Sequence, residues 1–315
     1  MNKLLIISGP TSTGKTKLAI ALAKKFNGEL ISADSRQIYK GMDIGTGKDH
    51  PKNIPIHLID VINPNQTFSV VEYQKLAKSI IEEIYKKGKL PIVVGGTGLY
   101  INSLIDSQNQ TYHIKPMPIL RFFLNRLSTK WLQKIYSILD KKAFDGLNNS
   151  EKHNPHRLIR KIEIKLHVRT DLRVRSTTKI KINPLHISLT APNPYLYQQI
   201  DKRVENRIKD GLIKEIEKLL KKYKWSDPGL NTLAYKEFKT LFVETHRVRL
   251  KNNKPINEDL ILNQCVQQWK YNEHALARRQ KTWFKNQPNI HIFNITSTGC
   301  YKNILYTITK WYNTE

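Results

Sequence analysis

Residues 7–26, ISGPTSTGKTKLAIALAKKF, set a glycine-rich turn between an apolar run and a lysine-rich helical pattern. Gly9-Pro-Thr-Ser-Thr-Gly14-Lys15-Thr16 fits G-x-x-x-x-G-K-[ST]. Between a strand and a helix, such a turn aims backbone N–H groups and the helix N-terminus at an anion. The lysine adds a point charge, and the final hydroxyl can reach a magnesium ion. Gly9, Thr11, Ser12, Thr13, Gly14, Lys15 and Thr16 are therefore expected to hold phosphates, with Thr16 as the ligand to Mg2+. The pattern does not say whose phosphates these are.

Strand and helix signals alternate outward from this turn. KLLIIS (3–8) reads as a buried strand, and Leu18, Leu22 and Phe26 share one face of the helix that follows. ELISA (29–33), IHLIDV (56–61) and LPIVVGG (90–96) read as further strands. Residues 69–88 form an amphipathic helix with a serine start and a glycine stop. Such units imply a parallel sheet flanked by helices. From about 106 the chain becomes basic and helical. PLHISLTA (184–191) then reads as a returning core strand, followed by helices over 193–223 and 257–281 and a last strand over 289–295. The expected fold is α/β: a P-loop NTPase-like core built from 1–105 and 185–315, carrying a helical insertion over 106–184.

Composition narrows the function. No run approaches the roughly 20 apolar residues of a membrane span. The two cysteines, Cys265 and Cys300, have no metal-binding spacing, and the expected setting is a reducing cytoplasm. Lys and Arg number 53 against 26 Asp and Glu, a formal charge of +27, which suits a polyanionic partner such as nucleic acid. A nucleotide hydrolase or kinase would place an acid at the end of a buried strand, near the magnesium. LPIVVGG instead runs into Thr97, and the acid beside the loop is Asp34, in DSRQIYKGMDIGTGK (34–48).

GPTSTGKT, ADSRQIYKGMDIGTGK, VGGTGLYINSL, NPHRLIRKIE and ALARRQKTWF together resemble, in order and spacing, the tRNA dimethylallyltransferase (tRNA isopentenyltransferase) family of bacterial type, over about residues 5–285. The resemblance implies transfer of a prenyl group from dimethylallyl diphosphate to N6 of adenosine 37 in tRNAs reading codons that begin with U. The phosphate loop would then hold the prenyl diphosphate and not hydrolyse ATP. Asp34 matches the family's proposed base, although a lone Asp before Ser is by itself an ordinary turn residue. Thr97 matches another active-site residue and is equally a helix cap. Lys15 and Arg157 complete the expected catalytic set, with Arg157 and Arg160 on the diphosphate. Asp34, Ser35, Arg36, Gln37, His156, Arg157, Leu158, Ile159, Arg160, Arg278, Arg279 and Gln280 are the tRNA-contacting positions that the resemblance implies. The partners expected are the tRNA anticodon stem-loop and the prenyl donor, with no membrane and a monomeric chain.

Three departures stand out. His156 replaces the usual Gln. The stretch from 273, EHALARRQKTW, lacks the usual Thr-Arg start. AYKE (234–237) replaces GYKE. No C-terminal zinc-finger extension follows, as expected of a bacterial-type enzyme. Two rivals remain at this point: an adenylate isopentenyltransferase acting on free AMP or ATP, and a phosphate-loop kinase or RNA-binding ATPase.

Overall fold

The computed structural model describes residues 2–51, 54–105, 114, 116–170, 182–243 and 257–314, without the side chains of 168–170. The chain divides into two compact units, Met1–Ile105 with Ile180–Glu315, and Asp106–Lys179.

The first unit is built on six parallel strands: β1 (Asn2–Ser8), β2 (Gly28–Ser32), β3 (Ile56–His57), β4 (Leu90–Gly95), β5 (Ile182–Thr190) and β6 (Ile290–Asn294). Their order is β3-β2-β4-β1-β5-β6. The apolar run of β1 is explained by its central place, because a strand covered on both faces needs apolar residues at every position. Leu5 and Ile7 join one core cluster with Leu18 and Leu22 of α1 (Lys15–Lys25). Leu4 and Ile6 face the other, with Tyr73, Ala77, Ile81 and Ile84 of α2 (Val70–Lys86) and Ile101 and Leu104 of α3 (Gly98–Ile105). A capping box between Ser69 and Glu72 starts α2.

The structure corrects several elements. β3 stops after two residues, not at 61, because Leu58 and Asp60 take left-handed backbone angles (φ 62° and 55°). The chain then turns so that Val61 and Ile62 donate to Ile38 O. β5 starts at Ile182, ahead of its apolar run, because its ladder continues to Asn2 and Lys3 of β1. The helix expected over 193–223 is two helices, α9 (Asn193–Lys209) and α10 (Leu212–Leu220), separated by Gly211 at φ 102°. The helix expected over 257–281 runs on as Glu258–Lys285, here α11. A further helix, α12 (Cys300–Asn313), lies where no element was expected. Its sequence is rich in Ile, Thr and Tyr, weak helix formers, and it is held by Ile304 and Ile308 packed on the α1 side of the sheet. Ala234, where the family pattern has Gly, is buried with φ 77°. A residue with a Cβ is thus kept in a conformation that costs about 1 kcal/mol or more.

The second unit is helical throughout its described residues: α4 (Pro118–Leu124), α5 (Thr129–Leu139), α6 (Lys141–Asp145), α7 (Asn149–Lys152) and α8 (Pro155–Thr170). Leu124, Leu132, Tyr136, Leu158, Ile159 and Ile162 form its core. The buried carboxylate of Glu163 accepts from Arg121 (2.7 and 2.8 Å), Arg160 (3.3 Å) and Met117 N (2.8 Å), which settles a charge in that core.

Gly95 ends β4 where the neighbouring chain is too close for a side chain: a Cβ there would lie 2.2 Å from Ala33 O. Gly95→Ala should lower the unfolding free energy by about 1–3 kcal/mol in urea titrations. Gly146→Ala, whose Cβ meets nothing nearer than 3.7 Å, should stay close to wild type.

Candidate active site

Because the strands are parallel, the C-terminal ends of β1, β2 and β4 lie on one edge of the sheet, where ligands of open α/β sheets bind. The loop after β1, the 33–37 turn and Gly96 meet there beside α9 and α11. Together they enclose a cavity of about 1010 Å³ whose lining includes Lys15, Thr16, Asp34, Gln37, Arg203 and Gln280. Gly9, at φ 135°, passes so close to β5 that a Cβ would meet Leu189 O at 2.3 Å. The Thr13 hydroxyl closes the loop onto Pro10 O (2.9 Å), and Lys15 Nζ donates to the same oxygen (2.5 Å). Ser12 Oγ is buried without a partner. Thr16 lines the cavity, and its hydroxyl makes no hydrogen bond to the protein among the described residues. A free hydroxyl oxygen is a donor that a magnesium ion accepts, so Thr16 fits the metal. Asp43, His50 and Asp60 also approach one another, but Lys48 Nζ occupies the space between the carboxylates, at 2.7 and 2.5 Å.

The 33–37 turn is fixed by its own side chains. Asp34 Oδ1 accepts from Arg36 N (3.0 Å), leaving its other oxygen available. Thr97 Oγ1 accepts from Ser35 N (3.0 Å) and lies 3.4 Å from Ser35 Oγ. The threonine hydroxyl thus anchors the turn that carries Asp34. Gln37 is committed within the protein, accepting from Ser32 Oγ (3.0 Å) and donating to Gly47 O (3.1 Å). Arg36 Nη1 binds Glu273 Oε1 at 2.8 Å, so one arm of its guanidinium is held by the protein. Gln280 Oε1 accepts from Thr11 N (2.9 Å) while its amide donates to Gly96 O (3.0 Å). These three residues, implied as RNA contacts, therefore build the wall of the site.

Arg278 and Arg279 are exposed on α11, and Arg278 reaches Tyr197 OH (2.8 Å). In the second unit His156 and Arg157 are exposed, whereas Arg160 is engaged by Glu163 and by Ile114 O (2.7 Å). Leu158 and Ile159 are core residues of that unit. Their side chains are used for packing, since their face of α8 carries the apolar positions that close the cluster.

Sequence reasoning missed the chemistry of α9. Its residues 199, 202, 203, 206 and 207 recur at helical spacing and line the cavity together with Asp210, just beyond the helix end, while Leu196, Ile200 and Val204 face the core. Arg203 Nη1 donates to Thr11 Oγ1 (2.8 Å), and Arg207 Nη1 to Gly45 O (2.9 Å). The signal was present as DKRVENR, two arginines four apart on a helix, but a basic helix in a basic chain gives no reason to single them out. Glu273 was missed as well, although it stands at the altered start of the 273–283 motif. Only 3% exposed, it is the buried counter-ion of this cluster.

Four cations (Lys15, Arg36, Arg203, Arg207) thus gather around two carboxylates, Asp34 and Glu273. Loss of hydration, then the neighbouring Arg203 charge, lowers the Lys15 ammonium to about 7. The same causes bring Arg207 down to about 9. Burial opposes ionisation of Glu273, but Arg36 and Arg207 hold its carboxyl down at about 2. Without a ligand the cavity carries more positive charge than it can solvate, which is the electrostatic character of a polyanion site.

Fold and site together define a phosphate-loop α/β protein whose loop opens on a cation-lined cavity. A family model described as IPP transferase matches residues 37–287. The chain belongs to the IPP transferase family. The tRNA dimethylallyltransferase of Roseiflexus sp. (strain RS-1) is 34% identical over 319 residues, covering 99% of both chains. That of Acetivibrio thermocellus is 37% identical over 305 residues, 93% of this chain and 92% of its own. Among solved structures, the full-length tRNA isopentenylpyrophosphate transferase from Bacillus halodurans matches with a TM-score of 0.69 at 33% identity, over 98% of this chain and 96% of its own. A eukaryotic dimethylallyltransferase acting on tRNA gives 0.77 at 23% identity, over 99% and 80%, a likeness of fold.

With burial holding the Lys15 ammonium down at about 7, the free amine should lose much of its charge by pH 8, and a bound anion should restore it. Pyrophosphate binding should therefore take up a proton and weaken as pH rises above about 7. Calorimetry at pH 8 in buffers of different ionisation enthalpy measures this uptake. Lys15→Arg, whose guanidinium stays charged, should bind with correspondingly less uptake than wild type.

Proposed function

We propose that this enzyme transfers a dimethylallyl group from dimethylallyl diphosphate to N6 of adenosine 37 in tRNAs reading codons that begin with U. The observation that carries this reading is the cavity itself: the phosphate loop, an excess of cations and the Asp34 carboxylate all line one space. The chain's relatives named tRNA dimethylallyltransferase, matched over nearly their full length, support tRNA prenylation as the class of reaction. No carboxylate stands at residues 95–97, where β4 ends and a hydrolase would hold its second magnesium ligand.

In this reading the backbone of the loop, Lys15 and Arg203 hold the diphosphate. The N6 nitrogen attacks the first carbon of the donor, the new C–N bond forms, and the C–O bond to diphosphate breaks. Negative charge builds on the leaving diphosphate, and fixed cations placed there favour the step. The free oxygen of Asp34 orients the amine and accepts the proton that N6 loses. Thr97 acts at one remove, fixing the turn that carries Asp34. Thr16 would hold a magnesium ion, whose chemistry there would be to neutralise charge on the diphosphate.

The base must leave the stacked anticodon loop to enter the cavity, as in other base-modifying enzymes. Exposed cations and aromatics suit the gripping of an RNA loop. In the first unit these include Arg278, Arg279 and Tyr271. In the second they include Phe122, Trp131 and Arg157, with Arg126 stacked 3.4 Å from the centre of the Phe122 ring. Such an enzyme works in the cytoplasm, where tRNA is found, and no helix among the described residues is long and apolar enough to cross a membrane.

Incubation with labelled dimethylallyl diphosphate and tRNA, AMP or ATP should label tRNA alone. Transfer only to AMP, or ATP hydrolysis without transfer, would sink the proposal. Asp34→Ala should cut turnover by roughly two to four orders of magnitude with tRNA affinity retained, as read from single-turnover rates and filter binding. The tRNA affinity should itself fall steeply with added salt.

A further inference from the structure

Arg207 is the one cavity-lining guanidinium that is buried (6% exposed) and only half used. Its Nη1 is tied to Gly45 O, while its Nη2 is enclosed and has no hydrogen-bond partner among the described residues. Neither Arg203 nor Arg207 has a carboxylate within ion-pair distance among the described residues, since the Glu273 contact goes to Arg36. The two arginines nevertheless converge. A Cβ placed on Gly47 would meet Arg207 Nη2 at 1.8 Å and Arg203 Nη2 at 2.5 Å. Two like charges are thus held against one glycine, with a donor of Arg207 unspent in the wall of the cavity. Such an arrangement is costly without a ligand and well suited to an anion that both guanidiniums can reach.

The wall around them is rigid. Glu215 accepts from the backbone N–H groups of Asp43, Ile44 and Gly45 (2.9, 2.8 and 3.1 Å), and Tyr235 OH donates to the same carboxylate (2.7 Å). Gly45 O is therefore a fixed anchor, and Arg207, lying 5.9 Å from the centre of the Trp269 ring, cannot easily swing away.

We propose that Arg207, with Arg203, forms a two-guanidinium clamp for a phosphoryl oxyanion lying beyond the reach of the phosphate loop. Arg203 fixes where the clamp starts, because its other nitrogen is bonded to Thr11 of the loop. The occupant that reaches both is the terminal phosphoryl of the diphosphate whose inner phosphoryl sits on the loop. A phosphodiester of the RNA chain offers the same chemistry and is the competing source. The assignment of the donor's diphosphate rests on the reaction proposed above; the clamp itself does not.

The test combines pyrophosphate binding with steady-state kinetics for wild type, Arg207→Met and Arg207→Lys. Arg207→Met should weaken pyrophosphate by about 10- to 100-fold, the worth of a charge-assisted hydrogen bond. It should raise KM for dimethylallyl diphosphate to a similar extent and leave KM for tRNA unchanged. Its melting temperature without ligand should be no lower than that of wild type, since an enclosed unpaired donor is removed. Arg207→Lys, which keeps the charge and loses the fork, should fall between the two and serves alone if the methionine variant does not fold. Unchanged pyrophosphate affinity in both variants would overturn the clamp. A rise in KM for tRNA alone would overturn the donor assignment in favour of RNA phosphate. Arg207-dependent pyrophosphate binding by a protein that prenylates no tRNA would uphold the clamp while the proposed reaction fails.

Discussion

Glu273 sits 2.8 Å from Arg36 at the centre of a cluster where cations outnumber carboxylates two to one. Buried charges of one sign repel strongly in a poorly hydrated space, and without a counter-ion they would lose protons or force the fold open. The glutamate lets Arg36 stay charged and so holds the backbone turn that presents Asp34. It does not neutralise the whole cluster, and the remaining charge is left for a ligand. The geometry of the turn and the amount of positive charge left for an anion both depend on that one carboxylate.

Much of this architecture could be read in the amino-acid sequence because its physical signals were local. β1 and β4 are buried on both faces and so appear as continuous apolar runs, β5 shows as an alternating one, and α2 carries its own cap. The phosphate loop is contiguous, so its geometry follows from eight neighbouring residues. What remained hidden is non-local. The left-handed angles at Leu58 and Asp60 that end β3 have no glycine to announce them. α12 is a weak helix former stabilised by the sheet it covers. Arg203, Arg207 and Glu273 become site residues only when α9 and α11 fold over the loop, a juxtaposition that no spacing within either helix reveals.

Family resemblance directs attention to the right segments without distinguishing contact from support. Gln37, Arg36 and Gln280 all lie at the site, yet both glutamines spend their amides on other parts of the protein and Arg36 ties one arm to Glu273. Leu158 and Ile159 lie within a motif but serve as core. The altered start of the 273–283 motif reads as a loss when compared with the usual Thr-Arg. In three dimensions it supplies the buried counter-ion, so the departure is a change in how the cation cluster is balanced.

Gln280 has one more consequence, which concerns how the protein is made. It bridges Thr11, 269 positions earlier, to Gly96, 184 positions earlier. A ribosome adding about 5–20 residues per second delivers it roughly 15–50 s after the loop has emerged. Throughout that interval the loop lacks both this brace and Glu273. A partly made chain in a cell full of ATP thus carries a phosphate-binding sequence without its lock, and the trap is set only once α11 has been made.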